Sequence, residues 1–195
     1  MSTLTFKNLP ASKKNAFIQV AVYEFACKEY HEASVSNIVR RLDIAKGSVY
    51  QYFTNKLDLF NYLTANAHNK LIAIHQFIDE RSHESAADWF IERGMAYIKF
   101  AKEFSAEFEL ICRVHNTRDN RFSELKNQLR HKELEMIEGK LSNLIFNVNQ
   151  IKELTFIVWS VMHSFLQQDT FANATNEQTL NMVTNISQTL FTPAN

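Results

Sequence analysis

Apolar residues recur every three to four positions along most of the chain, which is the pattern of amphipathic helices. Phe17, Ala21 and Phe25 form one such stripe near the start. Only three glycines and two prolines interrupt 195 residues, so long helices and short connections are expected. The pattern therefore predicts an all-α fold of about nine helices. They begin near Pro10, Ser34 and Ala45 and then cover about 56–79, 86–103, 105 onward, 122–146, 151–171 and 175–192.

Residues 34–56 read as two short helices joined by a tight turn near Asp43 and Ile44. The apolar residues of the first helix fall on one face, and Ser34 precedes them as an expected side-chain cap for the first free N–H groups. Asn55 and Asp58 form a second capping pair, at the start of the helix that follows. This spacing predicts a helix-turn-helix.

The second of these helices carries small, basic and aromatic polar residues on its outward positions. Lys46 offers a point charge, Gln51 has the amide geometry that pairs with adenine, and Gly47 permits close approach of a backbone to another surface. The pattern favours contact with DNA. A two-helix hairpin whose lysines and tyrosines are simply solvated remains the alternative.

Residues 7–64 resemble the tetracycline-repressor (TetR) family of bacterial transcription regulators, above all in KGSVYQYFTNKLDLF at 46–60. The resemblance implies a three-helix DNA-binding domain, here residues 1–55. It also implies a larger helical domain, residues 56–195, that dimerises and binds a small-molecule inducer. Carried over by position, the family's DNA contacts fall on Ser36, Lys46, Gly47, Ser48, Tyr50, Gln51, Tyr52 and Lys56, the last as a phosphate-binding lysine.

Two residues depart from the family pattern. Ala45 stands where a Ser or Thr often caps the recognition helix, so that cap is missing. Glu29 stands where a glycine usually ends the first helix in a left-handed conformation, which predicts a different turn at Glu29–Tyr30. Neither change affects the expected fold.

Charge is weakly asymmetric along the chain. Residues 1–60 hold eight Lys and Arg against five Asp and Glu, a net charge of +3, and the remainder carries −3 because the whole chain sums to zero. The sign suits an N-terminal half that faces DNA. No apolar run approaches the roughly 20 residues of a membrane span. With two distant cysteines, the composition favours a reduced cytoplasmic location and no membrane partner.

Aromatic residues cluster in the middle of the chain. Packing in the core is one interpretation; the other is a pocket between helices for a small hydrophobic inducer, such as an acyl chain or a hydrophobic drug. The charged residues nearby, including Arg93 and Arg113, are expected to be solvated. The candidate pocket residues are Trp89, Tyr97, Phe100, Phe104, Phe108, Cys112, His115, Trp159, Met162 and His163.

The stretch 151–171 is apolar on more than one face, and the last helix adds a second apolar surface. A central core helix of a monomer would show this pattern, but the resemblance favours a homodimer interface built from both helices. No pair of the seven histidines combines with a carboxylate or a cysteine at metal-ligand spacing on one helix, so no metal site and no cofactor are expected.

The sequence thus favours a DNA-binding transcription regulator rather than an enzyme. A repressor released from an operator by a small hydrophobic ligand is the leading hypothesis, and an activator remains open. The rival is a helical ligand-binding or enzymatic protein in which the helix-turn-helix is only structural.

Overall fold

A computed structural model describes residues 3–144, 151–164 and 174–191. All regular structure in these residues is helical, which confirms the predicted fold class. The short α1 and a 3-10 turn at Asn120–Phe122 were not predicted from the sequence. The helices are α1 (Leu4–Lys7), α2 (Ala11–Ala26), α3 (Val35–Leu42), α4 (Lys46–Tyr52), α5 (Lys56–Asp79), α6 (Ala86–Glu103), α7 (Ser105–Asn116), α8 (Ser123–Leu144), α9 (Ile151–Ser164) and α10 (Asn176–Phe191).

The chain forms two compact units. The first contains Met1–Asn69 and Ser105–Lys126, and the second contains Lys70–Phe104 and Asn127–Asn195. Helices α5 and α8 therefore contribute residues to both units. The predicted functional division after residue 55 is a different kind of boundary and stays a prediction.

Aromatic rings form the core of the first unit beneath the helix-turn-helix. Phe6 of α1 is fully buried, and its ring centroid lies 5.5 Å from that of Phe17 and 4.9 Å from that of Phe53. Tyr52 and Tyr62 complete the cluster, at 5.5 and 5.4 Å from Phe6. Because Phe6 contacts rings from α2, the α4–α5 junction and α5, the short α1 closes one side of this core.

Glu24 of α2 joins that helix to the start of α3. Its carboxylate accepts from Lys28 Nζ at 2.7 Å, from the backbone N–H of Ser34 at 3.0 Å and from Asn37 Nδ2 at 3.1 Å. Burial opposes ionisation of Glu24, but these three donors outweigh it and hold the pKa of its carboxyl below the ordinary value.

One local prediction near this contact is wrong and another is confirmed. Ser34 occupies the N-cap of α3, but its side chain makes no capping hydrogen bond. Its backbone N–H is instead satisfied by Glu24. The turn at Glu29–Tyr30 differs from the family pattern as predicted, because α2 ends at Cys27 in a right-handed conformation and Glu29 has no positive φ. Among the described residues, Asp43 is the one non-glycine with positive φ.

The predicted caps and turns elsewhere in this unit are present. Asp43 has a φ of 52° and ends α3 in a left-handed conformation, which is the predicted tight turn. The Asn55 side chain accepts from the N–H of Asp58 at 2.9 Å, and the Asp58 carboxylate accepts from the N–H of Thr54 at 3.1 Å. These contacts fix the direction in which α5 leaves the helix-turn-helix.

The second unit is built around an apolar core with one buried ion pair. Helix α10 packs on α6, and the Ser187 hydroxyl donates to the Ala87 carbonyl at 3.0 Å. Asp79, at the end of α5, accepts from the Trp89 indole at 2.7 Å and from Arg93 at 2.6 Å. Arg93 is only 1% exposed, so the expectation that it is solvated is wrong. The core residues are Ile78, Ala86, Trp89, Phe90, Ile98, Ile137, Leu141, Ile151, Val158, Met162 and Val183.

The predicted helix over 151–171 is present from Ile151 to Ser164, and its continuation lies outside the described residues. Within the described ranges, none of the helices combines the length and apolar character that crossing a bilayer requires.

We expect Glu24→Gln to destabilise the protein at neutral pH by roughly 1–3 kcal/mol, because three donors lose a charged acceptor. The pKa of Glu24 is lowered in the folded state, so its contribution is fully present above the ordinary carboxyl pKa. It is lost as pH falls through the lowered value. Urea unfolding at neutral and at acidic pH should therefore show a difference between variant and wild type that shrinks in acid. Glu84→Gln, at an exposed loop residue, is the control and should change neither value.

Candidate functional site

The helix-turn-helix presents one face of α4 to solvent. The inward residue Val49 is 2% exposed and Phe53 is fully buried, so the opposite face must point outward. Tyr50 is 49% exposed. The residues predicted to contact DNA that are exposed in the structure are Ser36 on α3 and Lys46, Gly47, Tyr50 and Gln51 on α4.

Gly47 has no structural need to be glycine. It lies in a right-handed helix, and a Cβ added to it would meet no atom within 4 Å apart from its chain neighbours and the backbone of its own helix. A helix interior normally favours alanine over glycine by about 1 kcal/mol. The missing side chain therefore leaves room for a surface outside the protein to approach the α4 backbone.

The C-terminal end of α4 is anchored by the N-terminal segment, which the sequence analysis did not foresee. The Thr3 N–H donates to the Tyr52 carbonyl at 3.0 Å, and the Thr3 hydroxyl donates to the Gln51 carbonyl at 2.7 Å. Thr3 also accepts from the N–H of Phe6 as the N-cap of α1. A Thr followed by an apolar residue three positions later is the available signal, but it is a weak one.

Ser48 and Tyr52 are half-buried, so they offer less to a ligand than their neighbours do. The Tyr52 ring packs on Phe6 and lies 5.9 Å from the Phe17 ring. Its ring is thus part of the aromatic core.

Lys56, predicted as a phosphate-binding lysine, is engaged inside the protein. Its ammonium donates to the backbone carbonyls of Tyr30 at 2.7 Å, His31 at 3.3 Å and Ala33 at 3.0 Å. It also lies 4.6 Å from the centroid of the Tyr30 ring. Burial, with a smaller effect from the charge of Arg121, lowers the pKa of Lys56. The phosphate contact stays a prediction, but the structure gives Lys56 a second role, which is to hold the α2–α3 loop.

The predicted pocket residues divide between the two units. Trp89 and Met162 belong to the apolar core of the second unit, and Phe104 is 37% exposed beside Phe100. Tyr97, Trp159 and His163 come together, since the ring of His163 lies 6.3 Å from Tyr97 and 4.4 Å from Trp159. Phe108, Cys112 and His115 lie on α7 in the first unit, where burial raises the pKa of the Cys112 thiol to about 12.

Glu133 completes the group of Tyr97, Trp159 and His163, and the sequence analysis missed it. This carboxylate of α8 is 4% exposed, accepts from the Trp159 indole N–H at 2.7 Å and lies 2.9 Å from His163 Nε2. A signal was present, because Glu133 occupies one position of an apolar stripe with four-residue spacing. The other members of the stripe are Leu125, Leu129, Ile137 and Leu141.

The sequence pattern of bacterial regulatory proteins of the tetR family matches residues 17–63, the segment that contains this helix-turn-helix. The N-terminal domain of this chain belongs to the TetR family. A fatty acid metabolism regulator protein of Bacillus subtilis (strain 168) is 32% identical over 130 residues, which are 65% of this chain. The match spans only 61% of that relative's length.

Solved structures share the fold of this chain over nearly its whole length. A TetR family transcriptional regulator from Chloroflexus aurantiacus J-10-FL has a TM-score of 0.75 at 20% identity, over 97% of this chain and 96% of that one. The transcriptional regulator FadR from Bacillus subtilis, in complex with stearoyl-CoA, has a TM-score of 0.74 at 16% identity, over 93% and 99%. At these identities the likeness shows the fold alone.

We expect Gly47→Ala to raise the melting temperature and to weaken binding to selected DNA by about tenfold, a loss of about 1.4 kcal/mol. The methyl group fits within the protein but occupies the space left for a DNA backbone. Gly139→Ala is the matched control, because Gly139 is also exposed, helical and without atoms near an added Cβ. It should stabilise the fold without changing DNA affinity. Equal DNA affinities for Gly47→Ala and wild type would remove the argument for close approach at this residue.

Proposed function

We propose that this TetR family member is a DNA-binding transcriptional repressor that leaves its operator when it binds a long-chain acyl ligand. The observation that carries the proposal is the exposed polar face of α4, where a glycine with no structural need sits beside Lys46, Tyr50 and Gln51. The fold fixes this helix from both ends, through the turn at Asp43 and through Thr3. Preorganised side chains on a rigid short helix suit readout of base edges.

Each exposed residue has a distinct part in this proposal. Gln51 can pair bidentately with an adenine in the major groove, which gives sequence preference. Lys46 contributes a charge to phosphates, which gives affinity without preference. Tyr50, half exposed, supplies a hydroxyl on a rigid ring.

A homodimer would present two such helices to successive major grooves, which calls for an operator that is roughly an inverted repeat. Helices α9 and α10 support this assembly. Phe156 and Ile157 on α9 are 49% and 44% exposed, and Leu180 on α10 is 43% exposed. Large apolar side chains left in water on two helices favour burial against a second copy.

The ligand class rests on two independent supports. The 32% identical relative is a fatty acid metabolism regulator, and the FadR structure of the same fold contains stearoyl-CoA. In this chain, the aromatic group of Tyr97, Trp159 and His163 is mostly apolar, with Glu133 as a polar group within it. Pockets for small molecules combine such walls with a few polar groups that fix orientation. We place the acyl ligand against this group.

A second location is a cavity of about 480 Å³ lined by α6 and the start of α10. Its apolar lining residues are Met95, Ala96 and Ile98, and its charged ones are Lys99, Lys102 and Glu103. Apolar lining residues beside two lysines also suit an acyl chain with an anionic head. The two locations are distinguished by experiment below.

The DNA-binding proposal is tested by incubating purified protein with genomic fragments and sequencing those it retains. We expect the retained fragments to share an inverted repeat. Gln51→Ala should relax the sequence preference, with a loss of about 1–3 kcal/mol on the preferred site. Lys46→Ala should weaken binding to all sequences alike and reduce the slope of its salt dependence by about one. If neither variant changes binding to the retained DNA, the assignment of α4 as the recognition helix is wrong.

The ligand proposal is tested with stearoyl-CoA, following tryptophan fluorescence and operator release together. Trp89 and Trp159 are the two reporters. Binding beside Trp159 should quench the fluorescence in wild type and in Trp89→Phe, but not in Trp159→Phe.

If Ala96→Phe blocks binding while quenching persists in Trp159→Phe, the ligand occupies the α6–α10 cavity instead. A protein that retains its operator at saturating stearoyl-CoA, with no fluorescence change, would rule out this ligand class.

A further inference from the structure

The loop between α2 and α3 depends on two cations from outside it. Lys56 of α5 donates hydrogen bonds to three carbonyls of this loop. Arg113 of α7 binds two carbonyls that precede these in the chain. Its guanidinium donates to the Lys28 carbonyl at 2.6 Å and to the Ala26 carbonyl at 3.1 Å. Ala26 is the last residue of α2. Arg113 thus caps the negative end of that helix.

Carboxylates on both sides hold Arg113 in this position. Its Nε donates to Glu109, one turn earlier on α7, at 2.7 Å, and Glu29 lies 3.3 Å from its Nη1. The Arg113 side chain is 22% exposed, so these contacts are only partly screened by water. A planar guanidinium holds its donors in a fixed arrangement, so it constrains the orientation of the carbonyls that it binds more than a flexible ammonium does.

The path of the chain makes this contact important. Arg113 lies in the segment Ser105–Lys126, which belongs to the first unit, although the residues on both sides of it in sequence belong to the second unit. The segment is therefore joined covalently to α6 on one side and to the second-unit part of α8 on the other. Helix α5 is the other covalent connection between the units.

A cavity lies beside Arg113. It has a volume of about 270 Å³ and is lined by residues of the loop, α5, α7 and the 3-10 turn, among them Glu29, Tyr30, Phe60, Arg113 and Phe122. Helix α7 packs directly on α2, and the hydrogen bonds from Arg113 add a polar link between α7 and the end of α2.

We propose that Arg113 is a positioning residue that couples the ligand state of the second unit to the orientation of the helix-turn-helix. The route runs from α7 through Arg113 to the carbonyls at the end of α2. It continues through Glu24 to the N–H of Ser34 and the Asn37 amide at the start of α3. This inference rests on the proposed function, since it assumes an operator and an acyl ligand.

The test is the ratio of operator dissociation constants with and without saturating stearoyl-CoA. Arg113→Met keeps the apolar stem and removes every donor, so the ratio should fall by about tenfold, the effect of losing roughly 1.4 kcal/mol of coupling. Arg113→Lys can reach one carbonyl and should restore part of the ratio. Arg118→Met is the matched control, because Arg118 is exposed on the same segment, and should keep the wild-type ratio.

Hydrogen exchange gives a second readout that needs no ligand. Amides of residues 27–34 should exchange faster in Arg113→Met than in wild type, while those of α10 should not change. A wild-type ratio in Arg113→Met, an equal fall in Arg118→Met, or unchanged exchange in the loop would each overturn the inference.

Failure of the proposed function gives a different result, because wild type itself would then not bind an operator or not respond to stearoyl-CoA. In that case loop exchange alone decides whether Arg113 holds the loop. If Arg113→Met does not fold, Arg113→Gln takes its place, with the same expected fall and the same contrary result.

Discussion

The contact on which the helix-turn-helix of this protein depends is the capture of the α2–α3 loop by Lys56 and Arg113. Carbonyls at the end of a helix have no partner within the helix, and a loop that is partly buried cannot leave such groups unsatisfied. Here the donors come from α5 and α7, which are distant in sequence from the loop. The start of α3, and through the turn at Asp43 the angle of α4, are therefore determined by charged side chains that lie outside the helix-turn-helix.

Buried charge has the same role in the second unit. Arg93 and Glu133 each occupy a position in an otherwise apolar helical stripe, and each is hydrogen-bonded to residues of another helix. Such groups contribute little net stability compared with apolar side chains of the same size, but leaving one of them without its partner strongly destabilises the fold. Arg93 joins α6 to the end of α5, and Glu133 joins α8 to α9. Both therefore restrict the register in which those helices pack.

Helix limits were predictable from the sequence because they depend on local chemistry. The apolar period and the scarcity of Gly and Pro placed helices over 56–79 and 86–103, and α5 and α6 have those bounds. Asn55 and Asp58 satisfy neighbouring backbone groups, and the turn at Asp43 needs only a residue that tolerates a left-handed conformation. The resemblance to the family was also recognisable from local sequence, because the residues of KGSVYQYF lie on one short exposed helix and its end.

Contacts between distant residues were not predictable in this way. An apolar period tells which face of a helix is buried, but not which side chain meets it from across the fold. Thr3, Lys56 and Arg113 are polar residues on helices or their ends. Sequence alone predicted a phosphate contact for Lys56 and solvation for Arg113, whereas the tertiary structure directs all three side chains to backbone carbonyls. The sequence by itself determined the helices, the family and the outward face of α4. Only the tertiary structure decided which donors satisfy the loop before α3, because that pairing exists only once α5 and α7 have packed against it.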